Sequence, residues 1–180
     1  MNFLGKVQVQ VKGKKVKKLS NGNSKFKIEV DYLRAYQREK NGTLLLVVEI
    51  VDYANTKLYY DNLLPVDLEE ILKKVKDDQK TVTISIKPIK EKSTSSLKMI
   101  CLNFLKNSKL QMNIEIKNID ELENIEKISF SITGDREYIE EYLFDNDVYT
   151  YGIESKTGKI YALPKLQNIE RMKKIMWKFQ

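Results

Sequence analysis

The 180 residues predict an α+β protein, with a mixed β-sheet carrying packed helices and a smaller α+β C-terminal part. Three stretches point there. Residues 43–52, TLLLVVEIVD, form an unbroken apolar run rich in β-branched residues, as in a strand covered on both faces. Residues 65–78, PVDLEEILKKVKDD, put Leu68, Ile71, Leu72 and Val75 at i, i+3, i+4 and i+7, the spacing of an amphipathic helix. Residues 7–12, VQVQVK, alternate valine with Gln8, Gln10 and Lys12. Successive strand side chains point to opposite faces, so one face is valine and the other carries two amides and an ammonium.

The remaining elements follow in chain order. A strand over 6–12 runs into GKKVKKLSNGNSK, a lysine-rich loop or loose hairpin with Gly13, Asn21, Gly22 and Asn23 as turn residues. DYLRAYQREKNG (31–42) reads as a helix, with Asp31 as N-cap, Leu33 and Tyr36 on one face, and Asn41-Gly42 ending it. TKLYYDNL (56–63) is the antiparallel partner of 43–52. In the helix at 65–78, Asp67 and Glu70 have capping-box spacing, and Glu69–Lys73 and Glu70–Lys74 are i, i+4 pairs. TVTISIKPI (81–89) turns Val82, Ile84 and Ile86 inward, and Pro88 closes the ladder.

The polar stretch 90–96 divides a first unit, 1–92, from a second, 93–180. In the second unit, residues 97–106 have helical spacing, 110–119 and 127–134 alternate as strands, and 135–146 reads as a short helix. Residues 148–164 form a hairpin turning at Lys156-Thr157-Gly158. Ile169, Met172, Met176 and Phe179 then share a helical face.

Composition narrows the chemistry. Histidine is absent, which removes Ser-His-Asp and Cys-His nucleophiles and histidine-ligated zinc. The single cysteine, Cys101, forms no intrachain disulfide and sits at a helical core position. No apolar run reaches the roughly 20 residues of a membrane span, and no secretory signal is read, so a cytoplasmic protein without membrane contact is expected. The net charge of +7 is uneven. Residues 1–27 hold eight lysines and no acid, whereas 120–147 holds ten acids against Lys127 and Arg136. A basic terminal segment of this kind points to a polyanion. Lys14, Lys15, Lys17 and Lys18 are the candidate nucleic-acid contacts, for weak, sequence-independent binding. Tyr32, Tyr36, Tyr59, Tyr60, Tyr149, Tyr151 and Tyr161 are weighed as base-stacking residues, with packing at the core edge the commoner role.

The order VQVKGK, YLRAY, GTLLLVVEI, TKLYYDNLLP resembles the PD-(D/E)XK nuclease superfamily. More specifically, it looks like a bacterial domain of unknown function found in proteins linked to phage defence. It covers residues 4–90 and continues faintly through ISFSITGD and DVYTYG. It implies a partial restriction-endonuclease-like core in which Gln10 and the Val11 carbonyl face a divalent metal, Mg²⁺ or Mn²⁺, and Lys12 faces the attacking water. Metal-assisted phosphodiester hydrolysis needs that Lewis acid and a nearby cation. The family carries its aspartate on an earlier strand, and no acid precedes Gln10. The resemblance therefore implies a nucleic-acid-directed module of a bacterial antiviral defence system, inactive until another chain or oligomer supplies the acid. Were the chain to cut alone, Asp31 and Glu49 would be the first acids to suspect, by nearness to the expected sheet and not by the resemblance. The alternative is a non-catalytic protein-interaction subunit or a phage-encoded mimic of a defence component.

Overall fold

The computed structural model describes residues 4–90, 96–117, 121, 125–131 and 146–166. The first unit runs β1 (Val9–Lys15), β2 (Ser24–Glu29), α1 (Val30–Arg38), β3 (Thr43–Ile50), β4 (Thr56–Leu63), α2 (Pro65–Leu72) and β5 (Thr81–Pro88). α3 (Leu97–Gln111), β6 (Glu115–Ile116), β7 (Ile125–Ser131), β8 (Val148–Glu154) and β9 (Ile160–Leu166) follow. The fold is α+β, with a five-stranded mixed sheet ordered β1-β3-β4-β5-β2 and a four-stranded sheet ordered β6-β9-β8-β7.

The apolar run at 43–52 finds its reason in two cores. β3 lies inside the first sheet, parallel to β1 and antiparallel to β4. Leu45 and Val47 bury against Leu33 and Tyr36 of α1, Leu68 of α2, and Ile84 and Ile86 of β5. Leu44, on the other face, buries against Tyr60, Leu64, Ile100 and Phe104 of α3, and Tyr149, Tyr151 and Ala162 of the second sheet. A strand with a core on each face leaves no position for polar alternation. Residues from both sides of the 90–96 stretch thus share the second core.

Several boundaries depart from the sequence pattern. β1 begins and ends three residues later than 6–12, because its register on β3 runs from Val9 opposite Leu44 to Lys15 opposite Ile50. Its valines are not the buried row: Val9 and Val11 are 44% and 56% exposed, while Gln10, Lys12 and Lys14 are half-buried beside Leu45, Val47 and Glu49. β2 is an added edge strand on β5, formed by the alternation Ser24, Phe26, Ile28 against Lys25 and Lys27. α1 starts from Glu29 as N-cap, with Asp31 in its first turn. α2 stops at Leu72, since Lys74 and Val75 donate to Ile71 and Leu72, a tighter i→i−3 pattern that ends an α-helix. Its Glu69–Lys73 pair forms at 2.6 Å.

α3 runs five residues past 106 because Asn107, Ser108 and Gln111 find buried partners in Tyr151, the Asn41 carbonyl and the Val66 N–H. Among the described residues of the 110–119 stretch, Glu115–Ile116 is the strand, paired parallel to β9. The 148–164 hairpin forms as read, with Gly158 at φ 66° in its turn. Gly42 is required at the α1–β3 junction: its φ is 72°, and a Cβ there would lie 2.6 Å from the Leu63 carbonyl oxygen. The helix read at 135–146 lies outside the described residues up to 145, and the face at 169–179 lies wholly outside them. No helix among the described residues is long and apolar enough to cross a membrane.

Candidate nucleic-acid interface

β1 presents Gln10, Lys12 and Lys14 in a row on the face that α1 covers. The Gln10 side-chain amide donates to the Val11 carbonyl at 3.2 Å, so the two positions expected to face a metal are bonded to each other. Lys12 Nζ sits 4.2 Å from the centroid of the Tyr32 ring on α1. That is a cation–π contact, of about 0.5–1 kcal/mol at an exposed site.

Lys14 is committed to the fold. Its Nζ donates to Glu49 Oε1 at 3.0 Å, Ser24 Oγ at 3.0 Å and the Lys25 carbonyl at 2.8 Å, using all three ammonium donors. Glu49, fully buried at the far end of β3, also accepts from the Ser20 N–H, Ser20 Oγ and Ser24 Oγ. Lys57 Nζ and the Tyr59 hydroxyl donate to the Ser20 carbonyl, each at 2.9 Å. Burial alone raises the Glu49 carboxyl, but the hydrogen bonds from Ser24, Ser20 and Lys14 outweigh it and hold it at about 2. One carboxylate therefore ties the end of β1 to the start of β2, drawing together strands that lie at opposite edges of the same sheet.

This arrangement does not fit a divalent cation. Mg²⁺ keeps six oxygen ligands at about 2.0–2.1 Å, usually with one or two carboxylates among them. Here the Glu49 oxygens already hold four donor groups and the Gln10 amide is tied to Val11. Among the described residues, no group of three or more His, Cys, Asp or Glu is placed to hold a metal. Asp31, the other suspect acid, lies 3.6 Å from Arg34 on the exposed side of α1.

Of the lysines expected to meet a polyanion, Lys15, Lys17 and Lys18 face solvent, and Lys25 and Lys27 of β2 are exposed with them. The Lys14–Lys25 bond and the Val16 N–H to Ile50 carbonyl bond, 2.9 Å, hold these segments at one end of the sheet. The result is a cationic rim on a backbone pinned by strand pairing.

A second polar group lies where the two sheets meet. Asp67 of α2, Asp61 of β4 and Tyr149 of β8 are buried there beside Asp147, Lys87 of β5 and Lys165 of β9. Lys165 Nζ is 2.7 Å from Asp67 Oδ1 and 3.3 Å from Asp147 Oδ2, and Lys87 Nζ is 2.7 Å from Asp147 Oδ1. The Tyr149 hydroxyl and the Leu64 N–H both donate to Asp67 Oδ2. Burial drives the Asp61 carboxyl up to about 7; Lys165 opposes it, and Asp67 and Asp147 add to it. Asp147 is held at about 2, because Lys165 and Lys87 outweigh its burial. These groups lock α2, β4, β5, β8 and β9 together.

The sequence gives Asp67 a role only in the cap of α2, where it does accept from the Leu64 N–H, and gives Asp61, Lys87 and Lys165 none. Nothing in strand or helix periodicity marks a lysine as buried. The tyrosines divide clearly. Tyr36, Tyr59, Tyr60, Tyr149, Tyr151 and Tyr161 are buried, and Tyr32 is partly exposed under Lys12. Tyr53, which the reading did not single out, is fully exposed. Cys101 is half-buried against the second core, and burial raises its thiol. Comparison with protein-family models, with curated proteins and with solved structures finds no match for this chain.

Proposed function

We propose that this protein is a nucleic-acid-binding module with a nuclease-like core, of the bacterial defence class that the resemblance implies, and that it does not cut nucleic acid by itself. The observation that carries this reading is the exposed set Lys15, Lys17, Lys18 and Lys25, on segments joined by the Lys14–Lys25 bond at one end of the sheet, with no acid among the first 27 residues. Non-specific binding of this kind has an affinity on the order of 10⁻⁴–10⁻⁶ M at physiological salt.

Fluorescence anisotropy across a series of low salt concentrations tests it. The log–log slope should be about −0.9 per phosphate neutralised on duplex DNA. Changing Lys15, Lys17, Lys18 and Lys25 together to glutamine should lower both affinity and slope. Lys14 is left intact because Glu49 needs it. The same change at Lys73, Lys74 and Lys76 should do little, because Lys73 is already paired with Glu69. Equal behaviour of the two variants, or no binding at low salt, defeats the reading in favour of a protein partner.

Cleavage is a separate expectation. With Mg²⁺ or Mn²⁺ the chain is expected to leave plasmid DNA and RNA uncut, since Gln10, Lys12 and Glu49 are engaged within the fold. Metal-dependent cutting that Lys12→Ala abolishes would show that a carboxylate joins Lys12 when substrate binds.

A further inference from the structure

The tip of the β3–β4 hairpin supplies the observation. Its turn, Asp52-Tyr53-Ala54-Asn55, is stiffened by its own polar groups. Asp52 Oδ1 accepts from the Ala54 and Asn55 N–H groups, both at 2.9 Å, and the Asn55 side-chain amide donates to both Asp52 oxygens. The Val51 N–H closes the turn on the Asn55 carbonyl at 3.0 Å. Asp52 and Asn55 therefore build the turn, and Tyr53 has no part in these bonds. Its ring is the most exposed large apolar side chain among the described residues. An aromatic surface left wholly in water on a stiff tip contributes no burial to the fold and presents an open π-face.

The neighbourhood gives that face a partner. Lys15 pairs with Ile50 in the β1–β3 register, and the Val16 N–H bonds the Ile50 carbonyl. Lys17 and Lys18 thus leave the sheet beside the same hairpin. Tyr53 is three residues past Ile50, at most about 10 Å of extended chain. Asp52, the acid next to it, is taken up by the hydrogen bonds of the turn.

We propose that Tyr53 is a stacking platform for an unpaired base, with Lys15, Lys17 and Lys18 holding the adjoining phosphates, so that the ligand of the cationic rim is single-stranded nucleic acid. This rests on the nucleic-acid reading above and adds the class of strand. Bases in a duplex have their faces covered by their neighbours, whereas a single strand offers both a free π-face and a backbone that bends around a protruding tip.

The test uses the full chain with labelled oligothymidine, oligouridine and a duplex of the same length, at low salt. Tyr53→Ala is expected to weaken single-strand binding by about 5-fold to 100-fold, the worth of one stacked base, and to leave duplex binding unchanged. Tyr53→Phe is expected to bind like the parent. A strand carrying 2-aminopurine should be quenched by the parent and the Phe variant but not by the Ala variant. The single strand held more tightly then identifies the polymer as DNA or RNA. Unchanged single-strand affinity in Tyr53→Ala, or an equal loss on single strand and duplex, overturns the inference and leaves the nucleic-acid reading standing. Absence of binding to all three probes removes both.

Discussion

Lys165→Met is expected to lower the free energy of unfolding by about 3–5 kcal/mol at neutral pH, the usual cost of removing one partner from a buried ion pair. In a chain of this size that corresponds to a fall of about 6–20 °C in Tm. Lys165 is 10% exposed and neutralises Asp67, 2% exposed, and Asp147, 13% exposed. Without it, Asp67 keeps hydrogen bonds from Tyr149 and Leu64 but no cation. The two aspartates must then stay charged without Lys165 or take up protons.

Urea melts at several pH values distinguish this from a simple packing defect. The deficit should shrink as pH falls, because protonated carboxyls no longer need the ammonium. Asp61 adds a slope of its own. Its carboxyl is raised above the ordinary 3.8 to about 7, so its contribution is fully present below 3.8 and is lost as pH rises through 7. A deficit that stays constant across the range would mean that the methionine perturbs packing and that the charges matter little.

The second large effect is at Glu49. Glu49→Gln is expected to cost about 2–4 kcal/mol, because hydrogen bonds to a charged group are worth more than neutral ones and the amide nitrogen meets donors. The lower end applies if Lys14, 30% exposed, turns to water instead. The carboxyl lies below its ordinary 4.5, at about 2. Its contribution is therefore present above about pH 4.5 and is lost as pH falls towards 2. The variant should show a flatter loss of stability over that window, with the part due to Asp147 remaining. Hydrogen exchange should also quicken in Ser24–Glu29 and in Val9–Lys15, the two edges that Glu49 ties. Unchanged exchange there would show that strand pairing alone holds the edges.

How much of this was legible in the chain differs by element. β3, β4, β5 and the β8–β9 hairpin were readable from apolar runs and turn residues, because local pattern and tertiary role agree there. β2 was passed over although Phe26 and Ile28 alternate with Lys25 and Lys27, since lysines at those positions read equally well as loop. The length of α3 was hidden: Asn107 and Gln111 are buried polar residues whose partners, Tyr151 and the Val66 N–H, come from distant segments. The candidate site was legible as a polar row of Gln10, Lys12 and Lys14, but which lysines remain available was not.

The α+β class, the double-sided burial of β3, the cationic N-terminal segment and the exclusion of histidine chemistry are all legible in the chain alone. These follow from composition and period, which act residue by residue. Only the folded arrangement shows that Val9 and Val11 face water, that Lys14 serves Glu49, that Lys165 and Lys87 sit among aspartates, and that Tyr53 stands exposed at the tip of the β3–β4 hairpin. Each depends on which segments meet across the sheet. A charge has no fixed role until its neighbours set its solvation: the same ammonium group is a solvated surface cation at Lys17 and a buried counter-ion at Lys165.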